Sequence, residues 1–395
     1  MRPISSRIAL MSGEGALSVF ADAKELERQG RSIIHLELGE PDFHPAAPVL
    51  DAAKRALDEG KDRYCSVQGV PALRDEIAIY LHKTRNLDIS ADNVVIAPGC
   101  KIALFMAMMA LIEAGDEVLY PDPGFPGYPS MMAGLGAVGL PFGLAEKNGF
   151  QPDPDEIESK ITSRTKILIT NSPANPTGTV YSDPVQRRLA EISVKHDLLL
   201  LSDEIYARII YGKTYKSMLN YPGMLERTLI IDGFSKSFAM TGWRLGYTVA
   251  PARIVPALNM LAVNSYTCVA EFTQYAAIEA LRDRAEATPG MVGEFSKRKE
   301  QFIRDLNRVP GFRCLSPEGA FYAWVKISDT GMSAGEICRL MLEEAGVAAI
   351  PGVAFGPSGM DFVRFSFASS MDTLKEAVER IQKVSSVWQS TTVNG

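Results

Sequence analysis

The sequence predicts an α/β protein with a mostly parallel sheet and a second, smaller α+β unit. From Asn93 onward, short apolar runs alternate with longer helix-like stretches. The runs are continuous rather than alternating in polarity, as expected of strands covered on both faces by helices. Strand and helix in turn imply a parallel sheet, and beyond about residue 285 the pattern changes to a charged helix followed by strand-like stretches.

Taken in order, residues 1–44 are irregular in pattern. Residues 46–59 place Val49, Leu50, Ala53 and Leu57 at helical spacing and stop at Gly60, a suitable C-terminal cap. Val94-Val95-Ile96-Ala97 reads as a strand, residues 102–113 as a helix and Glu117-Val118-Leu119-Tyr120 as the next strand. Lys166-Ile167-Leu168-Ile169, Leu198-Leu199-Leu200-Leu201 and Thr228-Leu229-Ile230-Ile231 supply three more. The run from Gly246 through Val249 to Ala250 follows Ile231 too closely for a helical crossover, so an antiparallel strand is predicted there. A helix over 295–307 and strands over 320–325 and 362–367 make up the second unit, and the Ser/Thr-rich tail from Ser385 is expected to fray.

At 395 residues, 46% hydrophobic and 22% charged, the chain is an ordinary globular one, long enough for two to three domains at roughly 150 residues each. Its net charge is −6 and its basic runs are no longer than Lys297-Arg298-Lys299, which counts against nucleic acid as a partner. The five cysteines are scattered and odd in number, so neither a disulfide framework nor a metal site is expected, and a cytoplasmic setting fits best. The longest apolar run, 102–112, is too short for a membrane span, and the first residues do not read as a secretory signal.

Gly134, Gly136 and Gly139 match the spacing of a dinucleotide fingerprint, but Pro141 follows at once and no helix opens there, so a turn is expected. The informative residues sit just past the apolar runs, where open parallel sheets place their ligand crevice. Asp203, with Tyr206 one turn on, follows one run and Lys236 the next, separated by about one strand-crossover-strand unit of roughly 30 residues. An acid and an amine can therefore face one small molecule. Asn175, between Pro173 and Pro176, follows another run, as a ligand contact or a residue bonding its own turn. Gly99-Cys100-Lys101 opens a helix, which suits a phosphate but also an ordinary strand-to-helix turn; Arg244 is either a second phosphate contact or a surface arginine. Arg364, inside an apolar run, needs a carboxylate partner, from a ligand or from the protein.

Together, Asn175-Pro176-Thr177-Gly178, Asp203-Glu204-Ile205-Tyr206, Ser235-Lys236-Ser237-Phe238, Gly242-Trp243-Arg244-Leu245-Gly246 and Arg364 resemble the signature of class I/II aminotransferases of the aspartate aminotransferase superfamily, matching from Gly39-Glu40-Pro41-Asp42-Phe43 to Arg364. The resemblance implies the fold type I scaffold, with a seven-stranded large domain over 45–285, a small domain over 286–395, and residues 1–44 as an arm and part of the small domain. It implies pyridoxal 5′-phosphate (PLP) as cofactor and transfer of an amino group from an L-amino acid to a 2-oxo acid by a ping-pong cycle. Lys236 would carry PLP as an imine and move the proton, Asp203 would keep the pyridine nitrogen protonated, and Tyr206 and Asn175 would bond the phenolic oxygen. Phe125 would stack on the ring, while Gly99, Cys100, Lys101, Ser235 and Arg244 would cup the phosphate. Arg364 would grip the substrate α-carboxylate, helped by Gly39 and Asn175, and Tyr64 would reach the phosphate of the neighbouring subunit in a homodimer.

The sequence departs from the family pattern at Gly124, at Cys65-Ser66-Val67-Gln68 and over 264–271; the first and last of these bear on the substrate pocket. A lyase acting by β-elimination on the same fold is the rival reading. A regulator that keeps PLP without turnover is another, disfavoured by the acidic charge and by a resemblance that begins by Gly39.

Overall fold

The computed structural model describes residues 4–282 and 287–388. A helix, Gly15–Arg28, precedes the first strand, β1 (Ile34–His35), in a region whose sequence pattern looks irregular. Its Lys, Glu, Leu and Arg residues are good helix formers, and Ala16, Phe20, Ala23 and Leu26 recur at helical spacing, a shallow apolar stripe of which only Ala23 is fully buried.

The large sheet is built from β2 (Val94–Ala97), β3 (Glu117–Asp122), β4 (Val138–Gly143), β5 (Thr165–Asn171), β6 (Leu199–Asp203), β7 (Thr228–Gly233) and β8 (Gly246–Val249). Their order is β2-β8-β7-β6-β5-β3-β4. Only β8 runs against its neighbours, pairing antiparallel with both β2 and β7, as the short connection from Ile231 requires. β2 and β7 are buried along their whole length and β5 and β6 nearly so, which accounts for their unbroken apolar runs. Of the three glycines, Gly134 lies in the last turn of the helix Gly127–Leu135, Gly136 caps that helix in the left-handed region and Gly139 lies in β4. Helix precedes strand there, the reverse of the dinucleotide-binding order.

The C-terminal unit contains β9 (Arg313–Cys314), β10 (Tyr322–Lys326), β11 (Val347–Ala348), β12 (Ile350–Pro351) and β13 (Phe362–Ser366). Four of these form an antiparallel sheet, β12-β13-β10-β9, while β11 pairs in parallel with β1. Leu36 donates its N–H to the Ala348 carbonyl (3.1 Å) and accepts from the Ser366 N–H (2.7 Å), so residues 34–36 are stitched into this unit. Ile34 and Leu36 belong to its apolar core, with Phe302, Phe365 and Ile381.

The helix expected over 295–307 spans Ala287–Leu306, and the boundary expected at 285 falls among residues 283–286, outside the described residues. The expectation of a frayed tail from Ser385 is corrected as far as Trp388. That residue is 1% exposed, stacks on Phe312 with centroids 5.7 Å apart, and donates its indole N–H to the Pro310 carbonyl (2.8 Å). A single large aromatic anchors this short polar segment. Residues 389–395 lie outside the described residues. Among the described residues no helix is long and apolar enough to cross a membrane.

Candidate active site

β5 ends at Asn171 and β6 at Asp203, and the loop after β7 carries Ser235 and Lys236. These carboxyl ends form one wall of a cavity of about 300 Å³. The opposite wall comes from the C-terminal unit, with Tyr322 on β10, Phe355, and Arg364 on β13; Glu14, Leu17 and Gly39 close a third side. The site is thus the crevice expected at the carboxyl edge of a parallel sheet, lidded by a second unit.

At its floor, Asp203 accepts a hydrogen bond from the Tyr128 hydroxyl (2.7 Å) and a longer one from the Ile205 N–H (3.3 Å). Burial pushes its carboxyl up to about 6, with the nearby Asp232 and Glu204 adding to the rise and the two hydrogen bonds opposing it. The Asn171 side chain braces the neighbouring turn, donating to the Asp203 carbonyl (3.1 Å) and accepting from the Asn175 N–H (2.8 Å). Lys236 points into the same space, its ammonium donating to the Gly39 carbonyl. Burial lowers its amine to about 8; the Arg364 and Arg244 charges act the same way, while Cys100 and Glu40 oppose. Asp203 and Lys236 remain accessible from the cavity, as an acid and an amine meeting one small molecule must be.

The helix Cys100–Leu111 opens at the cavity from Gly99, whose φ is 93°, and no side chain caps it. Its first N–H groups are therefore left for an anion, with Ser235 and the Arg244 guanidinium nearby. Gly99 is needed twice over: a Cβ there would be strained at this φ and would lie 2.5 Å from Arg244 Nη2. Arg244 itself adopts a left-handed backbone (φ 53°), unusual for a long side chain and held by the surrounding loop.

Arg364 is 4% exposed. Its Nη1 donates to the Asn175 side-chain oxygen (3.0 Å) and its Nη2 to the Glu37 carbonyl, and its guanidinium carbon lies 4.4 Å and 4.8 Å from the ring centroids of Tyr322 and Phe355. Its Nε has no partner among the described residues, and the hydrogen bonds of its two Nη atoms go to an amide oxygen and a backbone carbonyl rather than to a carboxylate. The guanidinium is positioned by neutral groups and aromatic faces, which leaves its charge for a ligand carboxylate. Tyr206 and Tyr322 share a hydrogen bond between their hydroxyls (2.7 Å), and burial raises the Tyr206 phenol well above its ordinary range.

Gly39, Cys100, Lys101, Phe125, Asn175, Asp203, Tyr206, Ser235, Lys236, Arg244 and Arg364 all line this cavity. Gly99 lies behind Arg244 rather than on the wall, and the Lys101 ammonium is turned toward Glu14. Tyr64 stands apart, 87% exposed and absent from the cavity lining. Sequence reasoning missed Tyr128, Asn171, Tyr322 and Glu14. Asn171 carried a signal, since it ends a strand as Asp203 does; the others meet the site only through packing.

The donor set fits PLP. An uncapped helix N-terminus with Ser235 and Arg244 suits its phosphate, and a buried carboxylate at the opposite floor suits a ring nitrogen that carries a proton. Between them stand an amine near neutrality and the Phe125 ring.

Comparison with known proteins agrees. The sequence matches the family profile "Aminotransferase class I and II" over residues 31–381. It is 38% identical over 384 residues to the aspartate aminotransferase of Pyrococcus horikoshii, covering 96% of each chain. The structure superposes on the aspartate aminotransferase of Thermus thermophilus with maleate at a TM-score of 0.92 and 36% identity, covering 97% of this chain and 100% of that one. It also superposes on an aromatic aminotransferase from Pyrococcus horikoshii at a TM-score of 0.87 and 37% identity, covering 92% and 98%.

Proposed function

The chain belongs to the class I and II aminotransferases and is a PLP-dependent enzyme of that family, and from this premise we propose how its residues divide the work. It moves an amino group from an amino acid to a 2-oxo acid in two half-reactions. Bound in the cavity, PLP supplies an electron sink for the pair left behind when the substrate Cα loses its proton.

Asp203 holds a proton on the pyridine nitrogen, because a carboxylate beside that nitrogen raises its pKa; the incoming cation in turn draws Asp203 back toward its ionised form. Tyr128 keeps the carboxylate aimed. Lys236 Nζ, an amine that burial biases toward its neutral form, would take the proton from the substrate Cα and deliver it to the cofactor. Arg364 binds the substrate α-carboxylate, and its bond to Asn175 sets its orientation. Tyr206 and Asn175 would hydrogen-bond the phenolic oxygen of PLP, Phe125 would face its ring, and Ser235, Arg244 and the N–H groups at Gly99, Cys100 and Lys101 would hold its phosphate.

We read residues 45–285 as the cofactor-binding unit and 286–395, with part of 1–44, as the unit that brings Arg364 to it. The high exposure of Tyr64, outside its own chain's cavity, supports a homodimer in which it completes the neighbour's phosphate seat. The scattered spacing and odd number of the five cysteines support a reducing, cytoplasmic setting.

The convergence of Lys236 and Asp203 on one cavity carries this reading. Purified protein is expected to absorb in the near-visible, to lose the band on borohydride reduction with the label on Lys236, and to cycle between two spectra on addition of an amino acid and then a 2-oxo acid. Lys236→Ala should lower transamination at least roughly 10³-fold without changing the circular dichroism of the fold. Substantial residual transamination would remove Lys236 from its role, and pyruvate and ammonia released from a cysteine-type substrate without an acceptor would favour the eliminating reaction.

A further inference from the structure

Six charged side chains line the cavity among the described residues: Glu14, Lys101, Asp203, Lys236, Arg244 and Arg364. Four are spoken for by the proposed aminotransferase chemistry, on which this inference rests. Glu14 and Lys101 remain, and they are ion-paired to each other. We infer that Glu14 sets the substrate charge this enzyme accepts: by holding Lys101 in an ion pair on the cavity wall, it leaves the side-chain end of the site electrically neutral and selects amino acids with uncharged side chains over dicarboxylic ones.

The pair is anchored from both sides. Lys101 stands in the first turn of the helix Cys100–Leu111, its ammonium 5.9 Å from the Phe125 ring centroid. Glu14 immediately precedes the helix Gly15–Arg28. Two residues earlier, Ser12 is tied to Ser130 by reciprocal hydrogen bonds, its N–H donating to Ser130 Oγ (3.1 Å) and its carbonyl accepting from that hydroxyl (3.0 Å). On the other side, Gly15 lies so close to the C-terminal unit that a Cβ would stand 2.8 Å from Ala354 Cβ. The backbone of Glu14 is therefore held at the wall.

The place of the pair decides what it meets. Glu14 and Lys101 line the same cavity as Arg364, so a substrate held there by its α-carboxylate shares that space with the pair. Leu17, Ile350 and Phe355 supply apolar wall beside it. A substrate gripped by Arg364 with a second carboxylate meets the Glu14 carboxylate as a like charge, and gains Lys101 only by breaking the existing pair. An uncharged side chain meets apolar wall and a pair already satisfied.

The test uses the holoenzyme in two ways. Succinate and 3-phenylpropionate are titrated against the near-visible absorbance, which reads binding without turnover, and kcat/KM is measured for aspartate, glutamate, phenylalanine and leucine. Wild type is expected to favour the uncharged pair of substrates by about tenfold or more and to bind 3-phenylpropionate more tightly than succinate. Glu14→Gln should shift both ratios about tenfold toward the dicarboxylates, and Glu14→Asp, which keeps the charge, should retain the discrimination. A wild-type enzyme that favours aspartate or glutamate overturns the inference, whatever the variants do, and so does a Glu14→Gln ratio within about twofold of wild type. The binding ratios separate the two readings: expected ratios without transamination would sink the aminotransferase roles alone, and reversed ratios with full transamination would sink this inference alone.

Discussion

Asp203 and Lys236 are each shifted toward neutrality by the same burial, the carboxyl to about 6 and the amine to about 8. In the cofactor-free protein this has a definite sign. Asp203 binds its proton more tightly folded than unfolded, so its contribution to stability is fully present below about pH 4 and is lost as pH rises through 6. Lys236 binds its proton less tightly folded, so its contribution is fully present only above its ordinary value of 10.5 and is lost as pH falls through 8. Asp203→Asn is therefore expected to stabilise the cofactor-free protein by on the order of 2 kcal/mol at pH 7, with the gain shrinking as pH falls from 6 toward 4, while turnover of the holoenzyme drops roughly 100-fold or more. Urea unfolding across that range, set beside steady-state rates, reads both; a stability difference that ignores pH would contradict the assignment. Both residues were legible in the sequence because each directly follows an apolar run. Tyr128, which aims Asp203 from 75 positions away, was not.

The helix Pro71–Arg85 carries a lesson about whole elements. Its last turn carries His82, Lys83 and Arg85, basic residues that favour a helix C-terminus from a solvated surface. Arg85 is instead buried, pairing with Glu204 (2.7 Å) and with Asp232, both buried themselves. Ser202 and Ser217 donate to the other Glu204 oxygen, and the Tyr247 hydroxyl donates to Asp232 (2.9 Å). This cluster backs the strand end that presents Asp203, so one arginine ties the helix to β6, β7 and β8. Arg85→Met should destabilise the protein by about 3–5 kcal/mol, since two buried carboxylates lose their counter-charge. Arg187→Met, which removes an exposed i,i+4 pair with Asp183, should change stability by less than about 0.5 kcal/mol. Equal effects in denaturant titrations would refute the distinction. The antiparallel β8, by contrast, was readable from connection length alone.

For the molecule as a whole, the N-terminal segment is the join: residues 34–36 pair with strands of the C-terminal unit, while Glu14 and Gly39 border the cavity. The proposed homodimer would use Tyr64, and Tyr64→Phe should weaken PLP binding by about 1.5–3 kcal/mol through loss of one bond to a charged phosphate. Spectral titration with PLP reads the loss and sedimentation velocity the assembly; a fully active monomer with unchanged PLP affinity would exclude the arrangement. Much of this protein could be read along the chain: the α/β class, the covered strands, and the polar residues that cap them. Those features follow from periodicity and short-range sterics, which a linear pattern records. The partners could not be read, because Arg364 with Glu37, Arg364 with Asn175, and Lys101 with Glu14 lie 327, 189 and 87 positions apart. Such meetings depend on how two units and an N-terminal segment pack, and on which charges are thereby shielded from water. The seat of an amino group could therefore be found in the sequence, while the charge of the side chain it accepts could be argued only once the chain had folded.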